Sequence, residues 1–336
     1  MRCWELRHFG LDGLTLANRT DPHPGPGQVL VRVRAASLNY RDWLMVAGKY
    51  NPRQKLPLIP CSDGAGEIVE TGPGVERLKP GDRVMGVFSQ GWLSGRPDRE
   101  KIGRALGGPV DGMLTQLAVF PEEGVVHTPA HLTDAEAAAL PCAAVTAWNA
   151  VIEQGAIKAG DAVLVQGTGG VSLFALQFAK LAGARVIVTS SSDEKLERAL
   201  AMGADDGINY RTNPDWAKRT RELTDGVGVD HIVEVGGAGT LGQSLKAVRV
   251  GGAISVIGVL AGNASELNVI PILMQNIRLQ GVMVGSRETF EALNRAIAQN
   301  MLKPVVDRVV PFEDAPAAFE HLASAAHFGK VCLAWN

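Results

Sequence analysis

The feature that most constrains the fold is the stretch AVLVQGTGGVS at residues 162–172, which leads into an apolar run ending at residue 182. A buried-type strand that ends in glycines and passes at once into a helical pattern is typical of a turn over a phosphate group. The first amides of such a helix lack intrahelical partners, and its dipole adds partial positive charge. We expect Gly167 to permit the turn and Gly169 to let the backbone approach a pyrophosphate. The candidate contacts here are Gly167, Gly169, Gly170 and Val171.

Strand patterns recur along the chain after this stretch. The sequence ARVIVTS at residues 184–190 predicts a second buried strand, and shorter patterns follow at residues 208–210, 230–236 and 252–258. Segments of helical character separate them, which predicts a doubly wound parallel α/β sheet with a nucleotide at the carboxyl ends of its strands. Ordinary glycine turns are the alternative interpretation. The residues expected at nucleotide-facing strand ends are Gly236, Gly258, Val259 and Leu260.

The first third of the chain has a different character. Residues 1–126 contain short strand patterns, many Gly and Pro residues and little helical periodicity, and QVLVRVRA at residues 28–35 alternates like a half-buried strand. This rhythm predicts a small, mostly β domain in the form of a partly open barrel.

Composition narrows the classes of function. The chain has 336 residues, a formal net charge of -2 and a hydrophobic fraction of 46%, which fits about two domains and gives no electrostatic argument for nucleic acid or an anionic membrane. No apolar run approaches a bilayer-spanning length, and the N-terminal residues lack the apolar core of a signal peptide, so we expect a cytoplasmic protein. Four scattered cysteines predict neither a disulfide framework nor a CxxC metal site.

Five blocks of sequence carry a resemblance that spans nearly the whole chain: VLVRVRAASLNYRD, PCSDGAGEIVETGPGV, DGMLTQLAV, LPCAAVTAW and VLVQGTGGVS. In this order they resemble the medium-chain dehydrogenase/reductase superfamily, and within it they are similar to the zinc-independent branch of quinone oxidoreductases and enoyl reductases. The resemblance implies a GroES-like β domain at residues 1–126 and 286–336. It also implies an inserted Rossmann domain at 127–285 and a homodimer.

The end of the second strand bears on the choice of nicotinamide cofactor. NAD-selective folds place a carboxylate there for the ribose, whereas VTSSS at residues 188–192 offers hydroxyls. Ser190 and Ser191, with Lys195 one helical turn on and Tyr210 at the next strand end, suit a 2'-phosphate. The resemblance agrees, since quinone oxidoreductases use a matching Ser, Lys and Tyr for NADPH. We expect NADP(H) over NAD(H). Simple helix capping is the alternative role of Ser191 and Ser192, a solvated helix face is that of Lys195, and Asp193 weakens the argument.

The pattern of possible metal ligands predicts no zinc. The segment at residues 89–108, where zinc alcohol dehydrogenases carry a structural zinc lobe, contains no cysteine. At the catalytic zinc positions of the superfamily, Asn39 replaces a Cys, Ser62-Asp63 replaces His-Glu, and only Cys142 remains. That set falls short of three protein ligands. A rearranged pair of Cys61 and Cys142 is the remaining alternative.

Without a Lewis acid, addition of hydride to an activated C=C bond is easier than reduction of an isolated ketone, because the charge delocalises into a carbonyl held by hydrogen-bond donors. We therefore expect NADPH-dependent reduction of a small quinone, enone or enoyl substrate. Asn39 and Tyr40 are the catalytic candidates. By resemblance, Thr146 backs the nicotinamide and Lys330 reaches the pyrophosphate. The alternatives are a zinc-free alcohol dehydrogenase or aldehyde reductase, and an NADPH-binding sensor or structural protein with little turnover.

Overall fold

The computed structural model describes residues 1–264 and 266–335 and divides the chain into two compact units. The first unit comprises Met1–Val145 and Gly285–Asn336, and the second comprises Thr146–Val284. The first unit therefore extends past residue 126, because helix α3 (Asp134–Ala138) packs on its strands. The predicted domain ranges remain a prediction. Within the described residues, no helix combines the length and the apolar character needed to cross a membrane.

The first unit is built on a seven-stranded mixed sheet and a separate two-stranded ribbon. The ribbon pairs β1 (Arg2–Leu6) with β2 (Leu14–Asn18). The strands of the large sheet are β3 (Gln28–Leu38), β4 (Asp63–Thr71), β5 (Arg83–Gly86), β6 (Leu117–Pro121), β7 (Val125–His127), β14 (Val306–Pro311) and β15 (Lys330–Ala334). Their order is β14-β15-β3-β4-β5-β7, with β6 paired to β3. The C-terminal segment thus supplies a strand next to the central β3.

The alternation predicted for β3 is observed where the strand carries arginines. Arg32 and Arg34 are exposed, while the residues between and after them are buried. The buried side joins an apolar core that includes Val31, Ile68 and Phe319. The helices of this unit are α1 (Tyr40–Val46), α2 (Arg99–Ile102), α3, α10 (Arg287–Gln299) and α11 (Ala315–Ala323).

The second unit is a six-stranded, all-parallel sheet, which confirms the predicted doubly wound fold. Its strands are β8 (Ala162–Gln166), β9 (Arg185–Ser190), β10 (Asp206–Asn209), β11 (Val229–Glu234), β12 (Val248–Val256) and β13 (Arg278–Gly281). They lie in the order β10-β9-β8-β11-β12-β13. The chain order reverses between β8 and β11, and ligands of such sheets bind at the carboxyl ends of the strands beside this switch point.

Helices connect the parallel strands of the second unit, and its apolar core includes Leu164, Ile187 and Ile254. The helices are α4 (Val145–Trp148, which begins in the first unit), α5 (Gly170–Leu181), α6 (Asp193–Ala201), α7 (Trp216–Leu223), α8 (Leu241–Ala247) and α9 (Ile270–Met274).

Candidate functional site

The glycine turn of the second unit has the geometry that the sequence predicts. Gly167 has a φ of 72°, a left-handed conformation that favours glycine, and its N–H donates to Thr189 O at 2.7 Å. Gly169 is the N-cap of α5 and lies in open space, with no heavy atom within 4 Å of where a Cβ would be. The amides at the start of α5, at Gly170 and Val171, therefore adjoin an open position of the kind that a pyrophosphate needs.

Ser172, at the third small position of the motif, ties α5 to β8. Its Oγ donates to Gln166 O at 2.7 Å, and the side chain is buried. A serine where this glycine motif usually has Gly or Ala thus adds a helix-to-strand hydrogen bond.

A buried carboxylate organises the next strand end. Glu234, at the end of β11, is fully buried, and its two oxygens accept hydrogen bonds from five donors. These donors are Gln166 Nε2, Ser244 Oγ, Thr240 Oγ1 and the amides of Gly236 and Gly237. The backbone after β11 is consequently fixed beside the switch point. Sequence reasoning missed Glu234, whose only signal was a charged residue ending an apolar strand.

The glycines at these strand ends are required by close packing. A Cβ on Gly236 would lie 2.2 Å from Thr240 Oγ1, and one on Gly258 would lie 2.5 Å from Val235 O. Val259 and Leu260 follow and are 44% and 55% exposed. Thr146, by contrast, is buried at 3% exposure. Their predicted contacts with a cofactor stay predictions.

The residues predicted to hold a 2'-phosphate cluster at the ends of β9 and β10. Ser190 O accepts from Tyr210 N at 3.0 Å, which brings the two strand ends together. Tyr210 is 42% exposed, and Lys195 is partly exposed in the first turn of α6. Capping, the alternative role of the serines, is performed by Ser192, whose Oγ accepts from Lys195 N at 3.3 Å.

Two further observations at this edge were missed by the sequence reasoning. Asp193 Oδ1 accepts from Asn209 Nδ2 at 2.8 Å, so this carboxylate is already engaged by an amide. Arg211, directly after Tyr210, is exposed and adds a cation to the same strand end. Its only sequence signal was its position beside Tyr210.

The first unit gathers Asn39, Asp42, Ser62, Asp63, Cys142 and Lys330 into one set, which we call the polar cluster. Asn39 is the N-cap of α1, and its backbone N–H donates to Asp42 Oδ2 at 2.8 Å. Its side-chain Nδ2 donates to Ser62 Oγ at 3.3 Å, and Ser62 Oγ donates to Asp63 Oδ1 at 2.7 Å. Tyr40 follows in α1 and is 39% exposed.

Lys330 lies within this cluster because of strand register. Val331 pairs with Leu38 across β15 and β3, which sets Lys330 beside the end of β3. The side chain is 3% exposed, and its Nζ donates to Leu38 O at 2.6 Å and to Asn39 Oδ1 at 2.5 Å. The contact with a pyrophosphate implied by the resemblance stays a prediction.

Arg41 and Asp42 form a buried ion pair at the start of α1. Arg41 Nη1 lies 3.2 Å from Asp42 Oδ1, with both side chains buried. The same guanidinium donates to Leu106 O at 2.7 Å and to Gly108 O at 3.0 Å. Burial raises the pKa of the Asp42 carboxyl, although the adjacent Arg41 opposes that rise. The pair thus fixes the loop at residues 106–108 against α1.

The donor set of the polar cluster does not fit a catalytic zinc ion. Asn39 and Ser62 offer an amide and a hydroxyl, and Asp63 already accepts from Ser62 Oγ and, at 3.0 Å, from Cys142 N. Burial, and then nearby carboxylates, raise the pKa values of the Cys61 and Cys142 thiols. Across residues 1–264 and 266–335, no group of three or more His, Cys, Asp or Glu side chains is placed to hold a metal.

The cysteine-free segment at residues 89–108 is held by side-chain hydrogen bonds. Trp92 is buried, and its Nε1 donates to Gly95 O at 2.9 Å, so it packs locally. Lys101 Nζ donates to Ser94 O at 3.2 Å and to Arg96 O at 3.0 Å. The Lys101 ammonium therefore binds two backbone carbonyl groups of this loop.

Comparisons with known proteins agree with this architecture. An alcohol dehydrogenase GroES-like domain model matches residues 25–130, and a zinc-binding dehydrogenase model matches residues 170–299. The chain is 46% identical to a zinc-type alcohol dehydrogenase-like protein of Schizosaccharomyces pombe, over 92% of this chain and 91% of that protein. It is 30% identical to an acryloyl-coenzyme A reductase of Metallosphaera sedula, over 93% and 94%. A crystal structure of an NAD-dependent alcohol dehydrogenase superposes with a TM-score of 0.93 at 36% identity, covering 100% of both chains.

Proposed function

Because the chain belongs to the medium-chain dehydrogenase/reductase superfamily and is an oxidoreductase of that kind, we propose that it reduces an activated C=C bond or a quinone with NADPH and without zinc. The substrate class is a small enone, enoyl thioester or quinone. The observation that carries this proposal is the donor set of the polar cluster, which offers an amide, a hydroxyl and an ammonium. The family model described as zinc-binding matches residues 170–299 and so leaves out all of these positions.

The chemistry of such a reduction suits hydrogen-bond donors. A bound reduced nicotinamide supplies the hydride. In a conjugated substrate the developing charge spreads onto a carbonyl oxygen, where neutral donors stabilise it. Asn39 Nδ2 uses one N–H on Ser62 Oγ, and its second N–H has no acceptor among the described residues. We assign that N–H and the Tyr40 hydroxyl to the substrate oxygen. The similarity to the Metallosphaera sedula protein, an acryloyl-coenzyme A reductase, supports this class of reaction.

The preference for NADPH rests on the charge at the ends of β9 and β10. Lys195, Tyr210 and Arg211 offer two cations and a phenol, and Asp193 is engaged by Asn209. A 2'-phosphate needs such donors and cations, whereas a free ribose 2'-hydroxyl favours an acceptor carboxylate. The glycine turn and the start of α5 would hold the pyrophosphate of either cofactor.

A zinc-free alcohol dehydrogenase or aldehyde reductase is the second candidate function. It is favoured by the similarity to the zinc-type alcohol dehydrogenase-like protein of Schizosaccharomyces pombe and to the superposed NAD-dependent alcohol dehydrogenase. Such a reaction develops a localised alkoxide, which the Asn39 amide and the Tyr40 phenol would have to stabilise without a Lewis acid.

We also propose a homodimer that pairs two copies of β13. This strand is the edge of the second sheet, and all four of its residues are exposed. Beside it, α9 has no buried residue, and Leu273 and Met274 are 79% and 74% exposed. An unpaired edge next to exposed apolar side chains is the type of surface that a second copy covers.

The test of function is turnover of the purified protein against matched substrate pairs. We expect oxidation of NADPH by 2-alkenals, enones, enoyl thioesters or 1,4-quinones, with deuterium from labelled NADPH at the β-carbon of the saturated product that is formed from an alkene substrate. Treatment with a strong chelator should leave kcat unchanged. Turnover of saturated aldehydes and alcohols alone would contradict the proposal and support the second candidate. Cofactor binding with no turnover on any substrate would support a sensor instead.

A further inference from the structure

The polar cluster contains a buried ammonium that can only donate hydrogen bonds. Lys330 Nζ lies 2.5 Å from Asn39 Oδ1 and 2.6 Å from Leu38 O, and Asp63 Oδ2 lies 3.9 Å away. Because an ammonium has three donors and no acceptor, the oxygen of the Asn39 amide has to face it. The reversed amide would set an NH₂ group against an NH₃⁺ group.

At Asp63, the other end of this series of hydrogen bonds, the donors point in the same direction. Asp63 is fully buried, and a carboxylate only accepts hydrogen bonds, so the Ser62 hydroxyl donates a hydrogen bond to Asp63 Oδ1 at 2.7 Å. The lone pairs of Ser62 Oγ are then left to accept from Asn39 Nδ2 at 3.3 Å. The series Lys330, Asn39, Ser62, Asp63 is therefore polarised from a cation to an anion, and both ends fix the same orientation of the Asn39 amide.

We propose that Lys330 is a positioning residue, which acts through Asn39 and not on the pyrophosphate. Its ammonium holds the Asn39 amide so that the second Nδ2–H points to the substrate oxygen and the amide dipole is strengthened as charge develops there. This inference rests on the proposed function, because it needs Asn39 to contact the substrate. The side chain is 3% exposed, two of its three N–H donors are occupied by Leu38 O and Asn39 Oδ1, and the Asp63 carboxylate lies 3.9 Å away, so the ammonium is held within the first unit.

The test separates cofactor affinity from turnover. In Lys330→Met, we expect the Kd for NADPH to stay within about twofold and kcat to fall about 10–100-fold, which corresponds to about 1.4–2.8 kcal/mol of transition-state stabilisation. Asn39→Ala should show the same signature. In the double variant, kcat should fall no further than in Asn39→Ala alone, because Lys330 acts through a group that is already removed.

The opposite split would overturn the inference. A rise of tenfold or more in the Kd for NADPH with kcat retained at saturation would assign Lys330 to the pyrophosphate. Losses of kcat that add up in the double variant would show a role independent of Asn39. Lys330→Gln, which keeps a neutral N–H donor, repeats the same comparison if the Met variant does not fold. Its smaller loss of kcat, with unchanged Kd, is the expected result.

The control variant is Lys79→Met, on an exposed turn of the same unit, which should leave both constants unchanged. The wild-type protein is measured first on both substrate panels. If it turns over alcohols and not alkenes, the proposed function fails. The effects of Lys330→Met on the Kd for the cofactor and on kcat can still be measured separately with the alcohol reaction. The two failures are therefore distinguishable.

Discussion

Arg211 and Lys195 are single residues whose side chains bear on which nicotinamide nucleotide is used. Both follow strand ends of the second sheet, and each adds a positive charge where the ribose of a dinucleotide lies in this fold. A phosphate adds charge that a hydroxyl lacks, so the two cations should affect one cofactor and not the other.

We predict that Lys195→Ala and Arg211→Ala each raise the Kd for NADPH about tenfold while the Kd for NADH changes less than twofold. A hydrogen bond to a charged group is worth about 1.5 kcal/mol, which corresponds to about tenfold. Titration of cofactor fluorescence measures both constants. Lys218→Ala, an exposed lysine of α7, is the matched control. Equal changes for NADPH and NADH would contradict the assignment of a 2'-phosphate site.

His231 is a buried side chain that makes stability depend on pH. It is 1% exposed, and neither ring nitrogen has a hydrogen-bond partner in the described part of the chain. Burial, followed by the charge of Arg278, lowers its pKa to about 4, while Asp230 opposes this effect. In the unfolded chain a histidine has a pKa of about 6.5, so between pH 6.5 and about pH 4 the unfolded chain binds a proton at His231 and the folded chain does not. Stability is therefore lost as pH falls through this window.

We predict that this residue lowers the free energy of unfolding by about 2 kcal/mol between pH 7.5 and pH 5. His231→Leu keeps the apolar volume and removes the titration, so its unfolding free energy should fall less over the same range. Denaturant unfolding at several pH values gives the difference, in which all other titrating groups cancel. Parallel pH curves for the two proteins would show that His231 does not contribute.

At the scale of elements, the connection from β11 to α8 depends on one carboxylate. Five donors converge on Glu234, and a carboxylate can satisfy all of them because it only accepts. An amide at this position would turn an NH₂ group toward at least two of these donors in either orientation.

We predict that Glu234→Gln lowers the free energy of unfolding by about 3 kcal/mol, from two lost hydrogen bonds to a charged acceptor. Hydrogen exchange should increase first at the amides of Gly236 and Gly237. Denaturant unfolding and exchange measurements check the two expectations. Glu197→Gln, on the exposed face of α6, is the control. A change of less than about 0.5 kcal/mol, the range of a neutral surface substitution, would contradict the role of Glu234.

Local pattern predicted some elements well and others poorly. The strand, glycine turn and helix around Gly167 follow from neighbouring residues alone, so the sequence predicts them. The chain around Pro141 is harder to predict: α3 ends at Ala138, and a π-helical turn at Leu140–Ala144 accepts the proline near its first position, where the missing N–H costs little. The edge strand β13 covers only Arg278–Gly281.

The polar cluster shows why distant contacts escape a local analysis. Lys330 meets Asn39 only because β15 pairs with β3 in one particular register, and 291 positions of chain separate the two residues. The available signal was a lysine at the start of an otherwise apolar strand, KVCLA. Arg211 and Glu234 were missed for a similar reason, since their importance depends on which strand ends are neighbours.

For the whole molecule, the exposed edge of the second sheet predicts the state of assembly. We expect the unmodified protein to be a dimer and the double variant Leu273→Glu, Met274→Glu to be a monomer. Two charges per copy would enter the apolar contact in that variant. Sedimentation or light scattering measures the mass at several concentrations. Leu200→Glu, a 41% exposed residue on α6, should leave the dimer intact. An unchanged mass for the double variant would place the contact elsewhere.

The position of β15 between β14 and β3 has a consequence for biosynthesis. As the ribosome extends the chain, all six strands of the second sheet are made before residues 330–334 appear. Until then the part of β3 that pairs with β15, residues 35–38, lacks that partner strand, and the Asn39 amide lacks the Lys330 ammonium. Translation that stops upstream of Lys330 would thus leave a nascent chain whose nucleotide-binding sheet is fully encoded, while its chemical centre is still missing a component.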